Sequence, residues 1–145
     1  MTGRGNAAGC SAADREAALS IYFQAWVDKN PRPLERLFAP DVIYSECFGP
    51  VYVGLEQIRQ WFADWNRNGT VREWHIQKFV HQDAVTVAEW SFRCIYKGRS
   101  DAFSGVSWVE FNERGQIRLL KEFQSKAEHV YPYGAARTHR GEIDL

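Results

Sequence analysis

The sequence predicts an α+β protein in which three helices pack against one face of a mixed or antiparallel sheet. The first half of the chain carries two helical patterns, a strand and a third helical pattern, and the second half carries consecutive long strands. With 145 residues, the chain is long enough for one domain built on a single core. Aromatic side chains make up 14% of the residues, which favours a large aromatic core, an interface or a ligand pocket.

Apolar residues at helical spacing indicate the three helices. The first begins near Asp14 and ends at Asn30-Pro31, because a residue before proline avoids the α conformation. A short second helix is predicted over residues 33–38, and the third helix ends near Asn66. The apolar stripes of the two long helices comprise Leu19, Tyr22, Phe23, Trp26 and Val27 in the first, and Ile58, Trp61, Phe62 and Trp65 in the third.

Alternating side chains and polar turns indicate five strands. In the first strand, Val42, Tyr44 and Glu46 alternate with their neighbours up to a turn at residues 48–50. Four further strands are predicted over residues 71–80, 84–96, 102–112 and 116–126.

The same alternation predicts which side chains face the helices. In the 84–96 strand the apolar set is the inward one, and in the 102–112 strand we assign the set that ends at Phe111 to that side. In the last strand, composition leaves open whether the set of Glu122 or the set of Lys121 faces inward. The assigned inward sets are Thr86, Ala88, Trp90, Phe92, Cys94 and Tyr96, followed by Phe103, Gly105, Ser107, Val109 and Phe111.

Charge and hydropathy argue against several partners. Lys plus Arg and Asp plus Glu both number 18, whereas a nucleic-acid-binding protein usually carries a basic excess. No apolar segment approaches the roughly 20 residues of a membrane helix, and the N-terminus lacks the apolar stretch of a signal peptide. We therefore expect a cytoplasmic protein with no nucleic acid and no membrane as partner.

The spacing of cysteine, histidine and glycine predicts neither a metal nor a cofactor. Cys10, Cys47 and Cys94 are odd in number and far apart, as expected for reduced thiols, and we interpret Cys47 and Cys94 as small buried hydrophobes. The four histidines lack the spacing of a metal site. No glycine-rich phosphate loop follows a strand.

Both ends of the chain are expected to lie outside the folded domain. Residues 1–13 are rich in Gly, Ala and Ser without an apolar period, which predicts a flexible tail. The domain itself is expected over residues 14–128. The polar segment 129–145 is expected to cover the mouth of a pocket, to fold over the outer face of the sheet, or to fray.

Short motifs in both halves of the chain carry a family resemblance. They are IYFQAW at residues 21–26, FAPDV at 38–42, VG at 53–54 before IRQWF at 58–62, and SWVEFNERGQI at 107–117. Together they resemble the nuclear transport factor 2-like superfamily, and its SnoaL-like branch in particular, over about residues 14–126. The resemblance implies a cone, in which a strongly curved sheet wraps around the helices and encloses a pocket. Members include ketosteroid isomerases, dehydratases, polyketide cyclases and domains that only bind or dimerise.

The resemblance also implies roles for individual residues. Glu46 falls where ketosteroid-isomerase-like enzymes have a general-base aspartate, and Tyr22 falls where they have a tyrosine that donates to the oxyanion. Ser107 replaces their second donor, a protonated aspartate, which argues against steroid isomerisation itself. Glu122 is implied to face the pocket as a second acid or base. With the helix stripes, the implied ligand-binding residues are Trp26, Trp61, Trp65, Trp90, Phe92, Val109, Phe111 and Gln124.

Each of these residues also has a purely structural interpretation. Glu46 and Glu122 could pair with a cation at the rim, Tyr22 could be a core aromatic, and the tryptophans could simply fill the core. Two classes of function therefore stay open for a small apolar or aromatic organic ligand. One is a cofactor-free enzyme of proton-transfer chemistry such as isomerisation, cyclisation or dehydration. The other is a non-catalytic module that binds a ligand or dimerises.

The outer face of the sheet predicts a homodimer. If Ser107 and Glu122 face inward, then Trp108 and Phe123 face outward among charged side chains. An apolar centre with a charged rim is typical of a subunit interface. We expect two copies to pair through this face.

Overall fold

A computed structural model describes residues 10–126, 128–134, 137–138 and 141–142 of the chain. The helices in these residues are α1 (Ala12–Asp28), α2 (Leu34–Leu37) and α3 (Leu55–Asn68). The strands are β1 (Phe38–Ser45), β2 (Val51–Val53), β3 (Gly69–Gln82), β4 (Val85–Tyr96), β5 (Arg99–Phe111), β6 (Ile117–Lys126), β7 (Arg137–Thr138) and β8 (Gly141–Glu142). The α+β fold expected from the sequence is confirmed.

One curved sheet contains β1 to β6 in the order β2-β1-β6-β5-β4-β3. Neighbouring strands run antiparallel except β1 and β6, which are parallel, with Tyr44 opposite Leu120 and Ser45 opposite Lys121. The parallel pair joins a strand from the first half of the domain to its last long strand. Consequently, side chains that are far apart in sequence meet on the inner face of the sheet.

Two irregularities in β3 change which of its side chains point inward. The register with β4 shifts between Val71 and Glu73 and again between Ile76 and Lys78. An extra residue in one strand bends it and breaks the alternation of its side chains. Val71 and Trp74 therefore both pack against the core, although they are three positions apart.

The core lies between the helices and the inner face of the sheet. Its helical part is the predicted stripe of α1, with Leu19, Tyr22, Phe23 and Trp26 all buried. The inward sets assigned to β4 and β5 are buried or half-buried, as expected. In β6, which composition left undecided, Leu120 and Glu122 are buried whereas the side chain of Phe123 is 54% exposed.

Element boundaries differ from the expectation mainly around β1. This strand begins at Phe38, which was expected in the second helix, because Phe38 pairs with Ile117 of β6. β2 was not expected, since its three residues are too few to show an alternation. At the end of α1, Lys29 adopts a left-handed conformation with φ 55°, so the helix ends at Asp28, before the expected Asn30-Pro31.

The chain ends are only partly described. Residues 1–9 of the tail expected at the N-terminus lie outside the described residues, and α1 begins within the rest of it, where Ser11 and Asp14 form a capping box. Of the segment expected as a C-terminal tail, residues 135–136, 139–140 and 143–145 lie outside. Tyr133 is fully exposed. Among the described residues, no helix combines the length and apolar character needed to cross a membrane.

Candidate active site

A cavity of about 900 Å³ lies between the long helices and the inner face of the sheet. Its wall combines helix, strand and loop side chains, and ten of them are aromatic. Four carboxyl groups also border it, and those of Glu46 and Glu122 have no ion-pair partner among the described residues. The aromatic lining residues are Trp26, Phe48, Tyr52, Trp61, Trp65, Trp74, Trp90, Phe92, Tyr96 and Phe103.

Glu122 is the buried carboxyl group of the cavity. It projects inward from β6, is 9% exposed, and accepts hydrogen bonds from the Tyr44 hydroxyl and, at 3.4 Å, from the Cys47 N–H. The pKa of Glu122 is raised to about 7, chiefly by burial and also by the charge of Glu46, against the opposing effect of the Tyr44 hydrogen bond. Near neutral pH this side chain can therefore both take up and release a proton.

Tyr44 and Tyr22 form a buried chain of hydrogen bonds behind Glu122. The Tyr22 hydroxyl donates to the Tyr44 oxygen at 2.6 Å, and Tyr44 in turn donates to Glu122. Burial raises the pKa of both tyrosines well above its ordinary value, so both hydroxyls keep their protons and act as donors. The chain fixes the Glu122 carboxyl group from the core side and leaves its other side facing the cavity.

Glu46 occupies a more open position on the same cavity. It follows the end of β1, is half-buried, and accepts a hydrogen bond of 2.7 Å from the Tyr52 hydroxyl of β2. Burial raises the pKa of Glu46, and the Tyr52 hydrogen bond partly offsets that rise. Tyr44 and Tyr52 are register partners on β1 and β2, so neighbouring tyrosines hold the two carboxyl groups.

Neither carboxyl group has a basic partner within the described residues. None of the ion pairs among these residues includes Glu46 or Glu122. The ion pair at the cavity joins Arg67 to Asp64 at 2.7 Å. The described residues therefore contain no rim ion pair of Glu46 or Glu122. The charged lining residues are Glu46, Asp64, Asp101 and Glu122 on the acidic side and Arg67 and Arg99 on the basic side.

Several residues that the sequence singled out border the cavity together. Glu46 and Glu122 do so, and so do five aromatic residues of the implied ligand-binding set. Two of these, Trp61 and Trp90, come from different elements, α3 and β4. The five are Trp26, Trp61, Trp65, Trp90 and Phe92.

Three residues that the resemblance places in the site lie away from the cavity wall. They belong to the end of β5 that is remote from the cavity. The cavity borders the beginning of this strand, from Arg99 to Phe103. At roughly 3.3 Å per residue, Ser107, Val109 and Phe111 lie about 13 Å or more beyond Phe103 on the same face. Ser107 is fully buried, and its hydroxyl accepts a hydrogen bond of 2.9 Å from the Trp90 indole. The hydroxyl of Ser107 thus contacts the core side of Trp90, and Ser107 is not part of the cavity wall.

Tyr22 and Gln124 also lie off the cavity wall, for different reasons. Tyr22 is fully buried behind Tyr44, so its hydroxyl contacts Tyr44 instead of the cavity. Gln124 is exposed. The pairing of β1 with β6 ends at Lys121, so β6 has no β1 neighbour at Gln124 and the side chain reaches solvent.

The structure adds Tyr44, Tyr52 and Trp74 to the site. Tyr44 alternates with Glu46 in the first predicted strand, and that signal alone places it on the same face. Tyr52 lies in the short β2, which carries no recognisable pattern. Trp74 follows the first register shift of β3, and strict alternation from Val71 assigns it to the wrong face.

The Cys47 thiol is not activated at this site, and the described residues show no cluster of metal ligands. Burial raises the pKa of the Cys47 thiol to about 12, so at neutral pH it remains protonated. Within the described part of the chain, no three His, Cys, Asp or Glu side chains converge in a way that could hold a metal ion.

Comparisons with known proteins agree with this architecture. A family model of the SnoaL-like domain matches residues 20–120. No curated protein matches the sequence. An LEH-like epoxide hydrolase from M. tuberculosis is similar over 78% of this chain and 84% of its own, with 13% identity and a TM-score of 0.70.

Two further solved structures share the fold. A protein with a ketosteroid isomerase-like fold from Catenulispora acidiphila, in complex with trimethylamine, has 22% identity and a TM-score of 0.67 over 76% of this chain and 85% of its own. A candidate SnoaL-like polyketide cyclase from Mesorhizobium loti has 20% identity and a TM-score of 0.65 over 77% of this chain and 97% of its own. At these identities the likeness shows a common fold.

Proposed function

The chain belongs to the SnoaL-like domain family, and on that premise we propose that it binds a small apolar or aromatic organic molecule and catalyses a cofactor-free proton transfer on it. Glu122 is the group that takes up and returns the proton. Glu46 is the second carboxyl group of the site, and Tyr44 positions Glu122.

One observation carries this proposal: a buried carboxyl group with a pKa of about 7 borders an aromatic cavity. A general acid or base is most effective when its pKa lies near the working pH. Perturbed carboxyl groups also occur in structural networks, but these usually include a basic partner. Within the described residues Glu122 instead has hydroxyl and amide donors, which lower its pKa by less than burial raises it.

The cavity suits an apolar or aromatic ligand because ten aromatic side chains line it. Trp61 stacks on Tyr52 with ring centroids 4.5 Å apart, and Trp65 stacks on Tyr96 at 5.2 Å. Rings that already pack on one another present a firm surface, which orders a ligand with little loss of side-chain freedom. An apolar ligand would also displace water from Glu122 and strengthen its interaction with a proton in transit.

A substrate that needs only a base tests the proposal without knowledge of the natural ligand. In 5-nitrobenzisoxazole, a base removes the ring C–H proton, the electron pair forms the nitrile, and the N–O bond breaks to release a coloured phenolate. We expect turnover that rises with pH through about 7. Glu122→Gln should lower kcat by roughly 10²-fold, the usual scale for loss of a general base.

Two further variants locate the base. Glu46→Gln should lower kcat less than Glu122→Gln, and an equal or larger loss would transfer the role to Glu46. Glu113→Gln, on an exposed turn away from the cavity, is the matched control and should leave turnover unchanged. Binding of the neutral fluorescent probe N-phenyl-1-naphthylamine, with turnover equal in wild type and Glu122→Gln, would indicate the non-catalytic binding module instead.

A further inference from the structure

We propose that the ligand of this cavity is an organic cation, a substituted ammonium with an apolar or aromatic body, whose nitrogen lies between the two carboxyl groups and the surrounding rings. This inference rests on the proposed function, since it names the class of molecule for the same cavity. It follows from three features of the wall: its charge balance, its aromatic rings and its unpaired carboxyl groups.

The charge balance of the cavity wall differs from that of the whole chain. The whole sequence has equal numbers of acidic and basic residues. The cavity wall has four acidic residues and two basic ones, and one of those, Arg67, is paired with Asp64. The other, Arg99, is exposed at the beginning of β5. The carboxyl groups of Glu46 and Glu122 therefore attract a positive charge that the described protein does not supply.

The aromatic rings give an independent reason for a cation. The faces of tryptophan and tyrosine rings carry negative potential and attract substituted ammonium groups, which are weakly hydrated. Among the rings that line the cavity, Trp61 stacks on Tyr52 with ring centroids 4.5 Å apart and packs against Tyr44 at 5.0 Å. These rings adjoin the two tyrosine hydroxyls that hold the carboxyl groups. An ammonium ion placed here would contact ring faces and carboxyl oxygens at the same time.

Binding of a cation is coupled to the protonation of Glu122. A positive charge favours the ionised carboxylate, so the ligand should bind tightly above the pKa of Glu122 and weakly below it. The other charged or titratable groups near Glu122 carry no compensating positive charge. They are Tyr22 of α1, Tyr44 of β1, Tyr52 of β2, and Glu46 and Cys47 of the loop between β1 and β2.

The test compares a cation with a neutral molecule of the same shape. Benzyltrimethylammonium and neopentylbenzene differ only in the replacement of the quaternary nitrogen by carbon. Titration followed by tryptophan fluorescence should show at least tenfold tighter binding of the cation at pH 8. Lowering the pH to 6 should weaken binding of the cation roughly tenfold and leave neopentylbenzene unchanged, because a group with a pKa of about 7 is mostly protonated at pH 6.

Variants of the carboxyl groups separate this inference from the proposed function. Glu122→Gln and Glu46→Gln should each weaken binding of the cation but not of neopentylbenzene, and Glu113→Gln should change neither. Equal affinity for both molecules in the wild type would overturn the inference and leave the proposed function standing. If neither molecule binds and 5-nitrobenzisoxazole turnover does not depend on Glu122, both proposals are wrong.

Discussion

Burial in the folded protein opposes the ionisation of Glu122. The folded protein holds this carboxyl group with a pKa of about 7, against an ordinary value of 4.5. The folded state therefore binds a proton more tightly than the unfolded chain does. The stabilising contribution of that proton is fully present below about pH 4.5 and is lost as the pH rises through 7.

The first prediction concerns the pH dependence of stability. Glu122→Gln resembles the protonated carboxyl group at every pH, so it should unfold like the wild type at pH 4 and be more stable at pH 8. The difference between the two pKa values corresponds to roughly 3 kcal/mol as an upper limit. Urea unfolding at pH 4, 6 and 8 measures it. A stability difference that stays constant across these pH values would show that folding does not change the pKa of Glu122.

The second prediction concerns the hydroxyl that holds Glu122. Tyr44→Phe removes a donor that favours the carboxylate, so the pKa of Glu122 should rise and the pH profile of 5-nitrobenzisoxazole turnover should move to higher pH. The variant also leaves Tyr22 without its acceptor, which should cost roughly 1–3 kcal/mol of stability. Tyr133→Phe, at a fully exposed tyrosine, is the control. An unmoved profile would contradict the positioning role.

At the scale of elements, the packing of β4, β5 and β6 depends on a glycine, Gly105, which has no side chain. A Cβ atom at Gly105 would lie 2.1 Å from the Phe123 carbonyl oxygen and 2.7 Å from the Trp90 ring. Glycine therefore lets the Trp90 indole lie over β5, where its N–H reaches Ser107. The placement of Trp90 in the cavity wall thus depends on the absence of a Cβ atom at Gly105.

The third prediction follows from that close approach. Gly105→Ala should lower the free energy of unfolding by roughly 1–3 kcal/mol, because neither the backbone oxygen nor the buried ring can move freely. The neighbouring Ser104→Ala, which adds no atoms, is the control. Thermal unfolding and tryptophan emission check the two variants. A Gly105→Ala variant as stable as the wild type, with unchanged emission, would mean that β5 and β6 can separate at little cost.

The elements also show which parts of the site the sequence could predict. Alternation places Trp90 and Phe92 correctly, because β4 keeps a regular register with β5 along its whole length. It fails for Trp74, because the irregularity in β3 depends on pairing with β4 and leaves no mark in a single sequence. Face assignment alone also overestimates the cavity, since Val109 and Phe111 share its face but lie beyond its end.

At the scale of the whole molecule, the outer face of the sheet is the remaining apolar surface with a proposed role. Trp108 is 38% exposed and Phe123 54% exposed. Lys121 lies over the Trp108 ring at 5.3 Å, and Glu110 accepts a hydrogen bond from the Trp108 indole and pairs with Arg118. We propose that a second copy covers this face, since apolar residues ringed by both charges suit a two-fold contact.

The fourth prediction tests this homodimer. Sedimentation at micromolar concentration should give a dimeric mass for the wild type and a monomeric mass for Trp108→Glu, because the new carboxylate would be buried in the interface. Gln60→Glu, at an exposed position of α3 on the other side of the sheet, adds the same charge as a control and should remain dimeric. A monomeric wild type would exclude the dimer, and a dimeric Trp108→Glu would exclude this face.

The parallel pairing of β1 with β6 has a consequence for the order in which the protein assembles. Tyr44 and Glu122 are 78 positions apart in the sequence, and the pairing of these two strands brings them together. Contacts over such a separation incur a large loop-closure entropy, so they tend to form late and slow the folding reaction. While β6 is still inside the ribosome during synthesis, Glu122 is not available to the part of the chain that has already emerged. The proposed proton-transfer site is therefore completed only with the last long strand, after the helices and hairpins that surround it.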